Sequence, residues 1–336
     1  MQIHEHFSLK NYNSFGINVY AKQFIAVQSV AELSDVLIKF KDVKKFILGG
    51  GSNMLLTQNI DALVILIDVK GKIINKQNDD FVWITCNAGE NWHEFVLWTI
   101  HQNFGGLENL SLIPGNVGAT PIQNIGAYGT EIKDTLTSCE AINIENQEIQ
   151  TFLNNDCKFG YRESIFKNEQ KNKYIITSVT FKLTKKNHKL NTSYGDILNE
   201  IPSSIADPNL IDISNAVIAI RKSKLPDPKE LGNSGSFFKN PILLKSDFAL
   251  IQKKFPEMRF FEVSDTEVKI PAGWLIEHSG LKGKRFGNAG IHERQALVLV
   301  NYGGASGQEI LEVSKIVQQT VFKKFGVAIE TEVNII

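Results

Sequence analysis

Leu48-Gly49-Gly50-Gly51-Ser52-Asn53-Met54 decides which nucleotide-binding folds this chain can have. Three consecutive glycines allow backbone φ values that other residues resist, so successive amides can turn inward on phosphate oxygens, with Ser52 and Asn53 adding side-chain donors. The run directly follows the buried-strand pattern Lys45 to Leu48. It is not a Rossmann fingerprint, because Met54 stands where the third glycine belongs. Nor is it a P-loop, because no Gly-Lys-Ser/Thr follows. Taken alone, it reads equally well as a glycine turn between strands.

Working outward, Val30, Leu33, Leu37 and Phe40 recur at helical spacing, with Ser29 and Glu32 as a capping box, and Ala62 to Val69 reads as a second buried strand. The pattern repeats in the strand Phe81 to Cys86, the turn Asn87-Ala88-Gly89-Glu90, and a helix whose apolar stripe is Trp92, Phe95, Val96, Thr99 and Ile100. A long helix carries Ile310, Val313, Ile316, Val317, Val321 and Phe325, capped by Ser306 and Glu309 and stopped by Gly326. Val327 to Ile336 alternates like a strand. Between about Asp68 and Ile220 the strands read as short, numerous and separated by Gly- and Asn-rich turns, which is not the strand-helix cadence of a doubly wound sheet. The fold class expected is therefore α+β. Lys224-Leu225-Pro226-Asp227-Pro228-Lys229-Glu230, with its two prolines, marks a domain crossing.

Composition narrows the function. The 336 residues, 43% hydrophobic, suffice for a sizeable core in two or three domains. Lys plus Arg equals Asp plus Glu at 36 each, so no global basic field gathers nucleic acid and any anion must find a local site. Cys86, Cys139 and Cys157 are widely spaced, against a metal site, a redox pair or a disulfide framework and in favour of a reducing compartment. His4-Glu5-His6 precedes any apolar run, and the apolar stretches are of strand length, so neither a signal peptide nor a membrane span is expected.

Three further segments carry candidate chemistry. Ile113-Pro114-Gly115-Asn116-Val117-Gly118-Ala119-Thr120-Pro121-Ile122-Gln123-Asn124-Ile125-Gly126-Ala127-Tyr128-Gly129 holds four glycines and two prolines, which exclude helix and ordinary strand. Its apolar residues require packing, and its backbone with Gln123 and Asn124 suits a flat neutral heteroaromatic edge. An ordered loop without a ligand fits equally. Gly160-Tyr161-Arg162-Glu163-Ser164 offers a guanidinium, and Gly232-Asn233-Ser234-Gly235-Ser236-Phe237-Phe238-Lys239-Asn240-Pro241 puts Ser236 on a flexible turn. The latter lacks the closing glycine of a nucleophile elbow, against a serine hydrolase. Individually, Arg162 would be a surface ion-pair partner and Ser236 a turn residue.

Together with Asn13-Ser14-Phe15-Gly16-Ile17, Pro271-Ala272-Gly273-Trp274-Leu275-Ile276, His292-Glu293-Arg294-Gln295-Ala296-Leu297-Val298-Leu299-Val300-Asn301 and Glu330-Thr331-Glu332-Val333, these segments resemble the UDP-N-acetylenolpyruvoylglucosamine reductase (UDP-N-acetylmuramate dehydrogenase) family over nearly the whole chain. Ser193-Tyr194-Gly195-Asp196 resembles the subtype whose tyrosine loop folds over the substrate.

The resemblance implies an α+β chain with a two-subdomain FAD-binding fold of the vanillyl-alcohol-oxidase/PCMH type and a C-terminal α+β substrate domain. Residues 1–70, completed by 326–336, and residues 71–225 would hold the cofactor, and 226–325 the UDP-sugar. Non-covalent FAD would lie against Gly49, Gly50, Gly51, Ser52, Asn53, Pro114, Gly115, Gly118, Gln123, Asn124, Gly126, Ala127 and Tyr128. With NADPH as hydride donor, flavin N5 would pass hydride to the vinyl carbon of a UDP-sugar enolpyruvyl ether, a step of peptidoglycan precursor synthesis. Charge then builds on the substrate carboxylate, where Arg162 gives paired charge-assisted hydrogen bonds and protonated Glu332 shares the load. Ser236 would protonate the adjacent carbon, helped by Lys239, Asn240 or water. Tyr194, Lys224, Lys239, Asn240, Lys269 and Gln295 would contact the substrate. One departure stands out: Phe261-Glu262 occupies the place where the family often has Tyr-Pro. The expected protein is a cytoplasmic monomer with no metal and no nucleic-acid or membrane partner. Two other readings compete: a sugar or alcohol oxidase of the same flavoprotein fold, disfavoured because neither flavin loop has a His or Cys for covalent attachment, and a non-catalytic nucleotide-sugar binding protein.

Overall fold

A computed structural model describes residues 2–193 and 196–336, so Tyr194 lies outside the described residues. The fold is α+β and divides into two compact units. The first comprises the residues up to Phe7 with Ala21–Gly50 and Ile60–Ser223; the second comprises Ser8–Tyr20, Gly51–Asn59 and Lys224–Ile336.

The first unit contains two sheets. In the smaller, the order is His4–Ser8, Tyr20–Val27, Ile60–Ile67, Lys45–Leu48. Ile60–Ile67 is parallel to both Tyr20–Val27 and Lys45–Leu48. Its near-continuous apolar run suits a strand covered on both faces. The helix Val30–Lys39 makes the crossover and buries Leu33, Val36 and Leu37. Ser29 caps it by accepting from the Glu32 amide, but the Glu32 carboxylate accepts from the Gln28 amide at 2.8 Å, one residue before the cap. The expected box is therefore shifted on one side.

The larger sheet is ordered Ile149–Leu153, Leu136–Asn143, Tyr174–Thr184, Phe81–Asn87, Lys72–Gln77, with antiparallel neighbours throughout. Tyr174–Thr184 runs for 11 residues, longer than the short strands expected here. The helix Trp92–His101 buries its whole expected stripe, Trp92, Phe95, Val96, Thr99 and Ile100. Trp92 and Phe95 pack on Phe181 of the central strand at centroid distances of 5.9 and 5.3 Å.

In the second unit a four-stranded sheet runs Gly232–Ser236, Val298–Asn301, Ala289–Ile291, Arg285–Phe286. The helix Gly307–Phe325 packs on it, with both halves of the Ser306–Glu309 capping box formed and Gly326 ending it at φ +71°. Ile242–Leu244, Glu267–Lys269 and Phe261–Glu262 form a smaller sheet. The strand expected from Val327 onward is mostly not one. Only Asn334–Ile335 is a strand, parallel to Met54–Leu55, and Thr331 makes an isolated bridge with Phe238. Val327, Ile329 and Val333 are buried as the alternation requires, but the chain between finds no continuous ladder.

Candidate active site

The two glycine segments singled out in the sequence meet in the first unit. A Cβ on Gly50 would lie 2.7 Å from the Gly115 Cα and 3.0 Å from its carbonyl carbon, an approach only glycine tolerates. Gly115 sits at φ +111°. The segment is seated on the turn before the helix Trp92–His101: the Gly118 amide donates to Ala88 O at 3.0 Å, the Val117 amide to Glu90 O at 2.9 Å, and the Trp92 amide to Gly115 O at 3.0 Å. The result is a backbone-lined cradle with Gly50 exposed and Gly115 half-buried, open to a ligand. Gly50 admits no side chain against Gly115, whereas a Cβ on Gly49 would meet nothing within 4 Å, and bare backbone of this kind fits a phosphate ester held by amides rather than by lysines.

Further along, the Gly160–Ser164 stretch is stitched to the same segment. Asn124 Nδ2 donates to Gly160 O at 3.0 Å, Ser164 Oγ to Ile122 O at 2.6 Å, and Arg162 Nη2 to Gly126 O at 2.7 Å. Arg162 is thereby tied to the segment 113–129. Asn124, Tyr128 and Arg162 all have positive φ, at 44°, 50° and 57°, a region that non-glycine residues rarely occupy and that clusters at functional sites.

The side chain of Asn124 is not turned to a ligand as expected. It is buried, with its amide on Gly160 O and Glu131 Oε2 and its oxygen accepting from the Lys133 amide at 3.1 Å. Its role is to hold the loop. Tyr128 is partly buried and packs against the cluster that contains Ile197, Ile213, Val217 and Ile220.

Sequence reasoning missed three residues here. Arg221 donates from Nε to Leu112 O at 3.2 Å and hydrogen-bonds Tyr128; burial pushes its guanidinium down from the ordinary arginine range while Tyr128 pulls it back. His93 Nδ1 accepts from the Leu112 amide at 2.9 Å, so the neutral ring carries its proton on Nε2; burial first, and then Arg221, lowers its pKa. Asn109 is fully buried with both amide hydrogens engaged. An arginine near a helix C-terminus, a histidine on a helix and an asparagine in a turn each have ordinary structural explanations, so only the fold reveals their contacts.

The second unit gathers another set. The strand Gly232–Ser236 slips register between Asn233 and Ser236, with Gly235 at φ +68° and its amide on Asn233 Oδ1 at 2.9 Å, a bulge that interrupts the ladder just before Ser236. Phe237 and Phe238 are buried behind it. The Glu332 amide donates to Phe237 O at 2.8 Å and the Lys239 amide to Glu330 O at 2.9 Å, so Glu332 runs beside the turn that carries Ser236. Asn53 joins them: its carbonyl accepts from the Asn334 amide at 3.2 Å and from Asn334 Nδ2 at 2.9 Å. Ser14 Oγ lies 3.2 Å from Ser234 Oγ and 3.4 Å from Ser52 O, which ties in the Asn13-Ser14-Phe15 segment. Four segments remote in sequence thus converge.

Of the expected substrate residues, Asn240 Oδ1 accepts from the Ala272 amide at 2.9 Å, and Gln295 Oε1 approaches Gly273. Both border the helix Ala272–His278. Lys239 Nζ stands 3.7 Å from Glu330. Lys269 pairs across its sheet with Ile242 and Phe261, whose exposed ring carries no hydroxyl. Lys224 ends the helix Leu210–Lys224 and is exposed. Among the described residues no cluster of metal-ligating side chains occurs and no helix is long and apolar enough to cross a membrane. The cysteines are free and buried; burial drives Cys86 upward, and hydrogen bonding to Cys157 followed by burial does so for Cys139.

Comparison with known proteins follows the same division. Residues 21–152 match the family model of an FAD binding domain, and residues 227–336 that of the UDP-N-acetylenolpyruvoylglucosamine reductase C-terminal domain. The chain is 73% identical over 337 residues to the UDP-N-acetylenolpyruvoylglucosamine reductase of Flavobacterium johnsoniae, covering 100% of both. It is 44% identical over 337 residues to that of Chromobacterium violaceum, covering 99% of this chain and 98% of the other. The crystal structure of the Thermus caldophilus reductase superposes with a TM-score of 0.69 at 23% identity, covering 100% of this chain and 99% of that one, a likeness of fold.

Proposed function

The chain belongs to the UDP-N-acetylenolpyruvoylglucosamine reductase family and is an oxidoreductase flavoenzyme, and from that premise we propose that it reduces UDP-N-acetylglucosamine enolpyruvate to UDP-N-acetylmuramate with NADPH, in the cytoplasmic synthesis of peptidoglycan precursors. In this reading residues 1–70 with 326–336, and residues 71–225, hold the cofactor, while 226–325 take the UDP-sugar. FAD, when bound along Gly49 to Asn53 and Pro114 to Tyr128, supplies the hydride for the vinyl carbon.

The observation that carries the proposal lies within the second unit: the bulged strand Gly232–Ser236 leads into Phe237, whose carbonyl accepts from the Glu332 amide, so the backbones of Ser236 and Glu332 run side by side. Arg162 is the guanidinium that would meet the substrate carboxylate in paired charge-assisted hydrogen bonds. Glu332 shares the charge that develops there. Ser236 delivers a proton to the adjacent carbon, with Lys239, Asn240 or water restoring it. Tyr194, Lys224, Lys239, Asn240, Lys269 and Gln295 hold the nucleotide end; at Phe261 the ring supplies contact area without a hydrogen bond.

The test is anaerobic. Purified protein should be yellow, bleach with NADPH, and regain its oxidised absorbance on addition of UDP-N-acetylglucosamine enolpyruvate. Ser236→Ala should bleach at nearly the wild-type rate but recover its colour at least about a hundredfold more slowly. A colourless preparation indifferent to FAD would refute the proposal, and equal slowing of both halves would refute the role of Ser236.

A further inference from the structure

We propose that Asn109 is a positioning residue: through its two amide hydrogens it locks the end of the cofactor segment to the chain leading into Tyr194, and so sets how tightly the nucleotide sugar is held. This rests on the reading above in which Tyr194 contacts the substrate.

Asn109 is 1% exposed and lies in the turn Glu108–Leu110. Its Nδ2 donates to Tyr128 O at 3.0 Å and to Asn191 O at 2.8 Å. Asn191 returns the link, donating from Nδ2 to Gly129 O at 2.9 Å, and its Oδ1 accepts from Ser193 Oγ at 3.1 Å. One hydrogen bond thus joins Gly129 to Asn191 directly, the two from Asn109 bridge Tyr128 and Asn191, and Tyr194 follows Ser193 in the sequence. A Cβ on Gly129 would stand 2.6 Å from Asn191 Nδ2, so the seat of Asn191 requires glycine there.

The same two residues reach the chain on the other side of Tyr194. The Tyr128 ring packs in the cluster that includes Ile197 and Ile201. Tyr128 and Gly129 hold left-handed backbone, φ +50° and +78°, a costly conformation that persists only where neighbours determine it. The Asn109 side chain is such a neighbour, since rotating it would leave two part-buried carbonyls without its hydrogens. A role limited to stability would lower folding without regard to ligand. A positioning role alters the nucleotide-sugar step and spares the NADPH step, because the cradle at Gly50, Gly115 and Gly118 rests on the turn Ala88–Trp92 and not on Asn109.

The experiment uses the full-length, FAD-loaded protein with Asn109→Leu, which removes both donors at similar volume, and Asn191→Ala, a half-exposed change that leaves the core intact. Amide hydrogen exchange over residues 188–196 should speed up by about tenfold in each, the loss of roughly one net hydrogen bond. KM for the enolpyruvyl nucleotide sugar should rise about tenfold, with flavin absorbance retained and NADPH bleaching within about twofold of wild type. Unchanged exchange in Asn191→Ala, faster exchange with unchanged KM, or a parallel loss of flavin reduction overturns the inference. If Asn109→Leu does not fold, Asn191→Ala decides it alone. Should wild-type protein fail to turn over the enolpyruvyl sugar, the proposed function falls, while the exchange measurement still judges the clamp.

Discussion

Replacing Gly50 with alanine places a methyl carbon 2.7 Å from the Gly115 Cα, 3.0 Å from the Gly115 carbonyl carbon and 3.1 Å from the Asn116 nitrogen. All three are main-chain atoms, so no side chain can rotate aside. Ordinary contact begins near 3.5 Å, and the two glycine loops must part by several tenths of an ångström. Overpacking of this kind costs about 1–3 kcal/mol. Without cofactor the loops can relax apart; with cofactor bound they must close again, and the cost then appears as lost FAD affinity. At 1.4 kcal/mol per tenfold, the expected rise in the FAD dissociation constant is about 5- to 150-fold. Gly160→Ala, outside the proposed cofactor contacts, is the control, because a Cβ there meets only the Glu163 Cβ at an ordinary 3.5 Å. Both variants should fold with similar thermal midpoints once FAD is saturating. The assay is quenching of flavin fluorescence on titration into stripped protein. Equal FAD affinity for the two variants, or wild-type affinity in Gly50→Ala, would refute the claim that these loops meet to form the cofactor seat.

Two further outcomes follow from local features. His93 has its pKa lowered in the folded state, so between that value and about 6.5 the unfolded chain binds the extra proton. Its contribution is complete above about pH 6.5 and fades as pH falls through the folded pKa. Asn at position 93 keeps an acceptor near Nδ1 without titrating, so His93→Asn should lose less melting temperature than wild type between pH 7 and pH 5, and parallel curves would contradict the assignment. Ser306→Ala removes the cap of the helix Gly307–Phe325 and should cost about 1 kcal/mol in urea unfolding, with no change in flavin reduction; a cost under about 0.3 kcal/mol would mean the capping box carries no net stability.

The local elements were legible because their signals are local. The stripe from Trp92 to Ile100 lies on one helix face, and Ser306 with Glu309 is a complete signature within four residues. The α+β class followed from the turn-rich middle of the chain, and the ordered segments disclosed the family. What stayed hidden is non-local. Nothing about Gly50 announces that Gly115 will be its neighbour, and Asn124, chosen for a free amide, turned out to use that amide on Gly160, Glu131 and Lys133. Asn109 and Arg221 gave no signal at all, since a sequence writes a buried asparagine or arginine in the same letters as a surface one. The tail from Val327 alternates correctly, yet alternation specifies faces and not partners, and a continuous ladder did not form.

The way the second unit is assembled has a bearing on its synthesis. Met54 and Leu55 find their strand partners in Asn334 and Ile335, and Asn53 accepts from Asn334 across 281 positions. While the ribosome is still translating residue 223, the first unit already has all its residues, but the stretch Gly51–Asn59 has none of its later partners. The strand Met54–Leu55 therefore waits until Asn334–Ile335 has been made before its ladder can close, long after Ser14 and Tyr20 are available to the residues beside it.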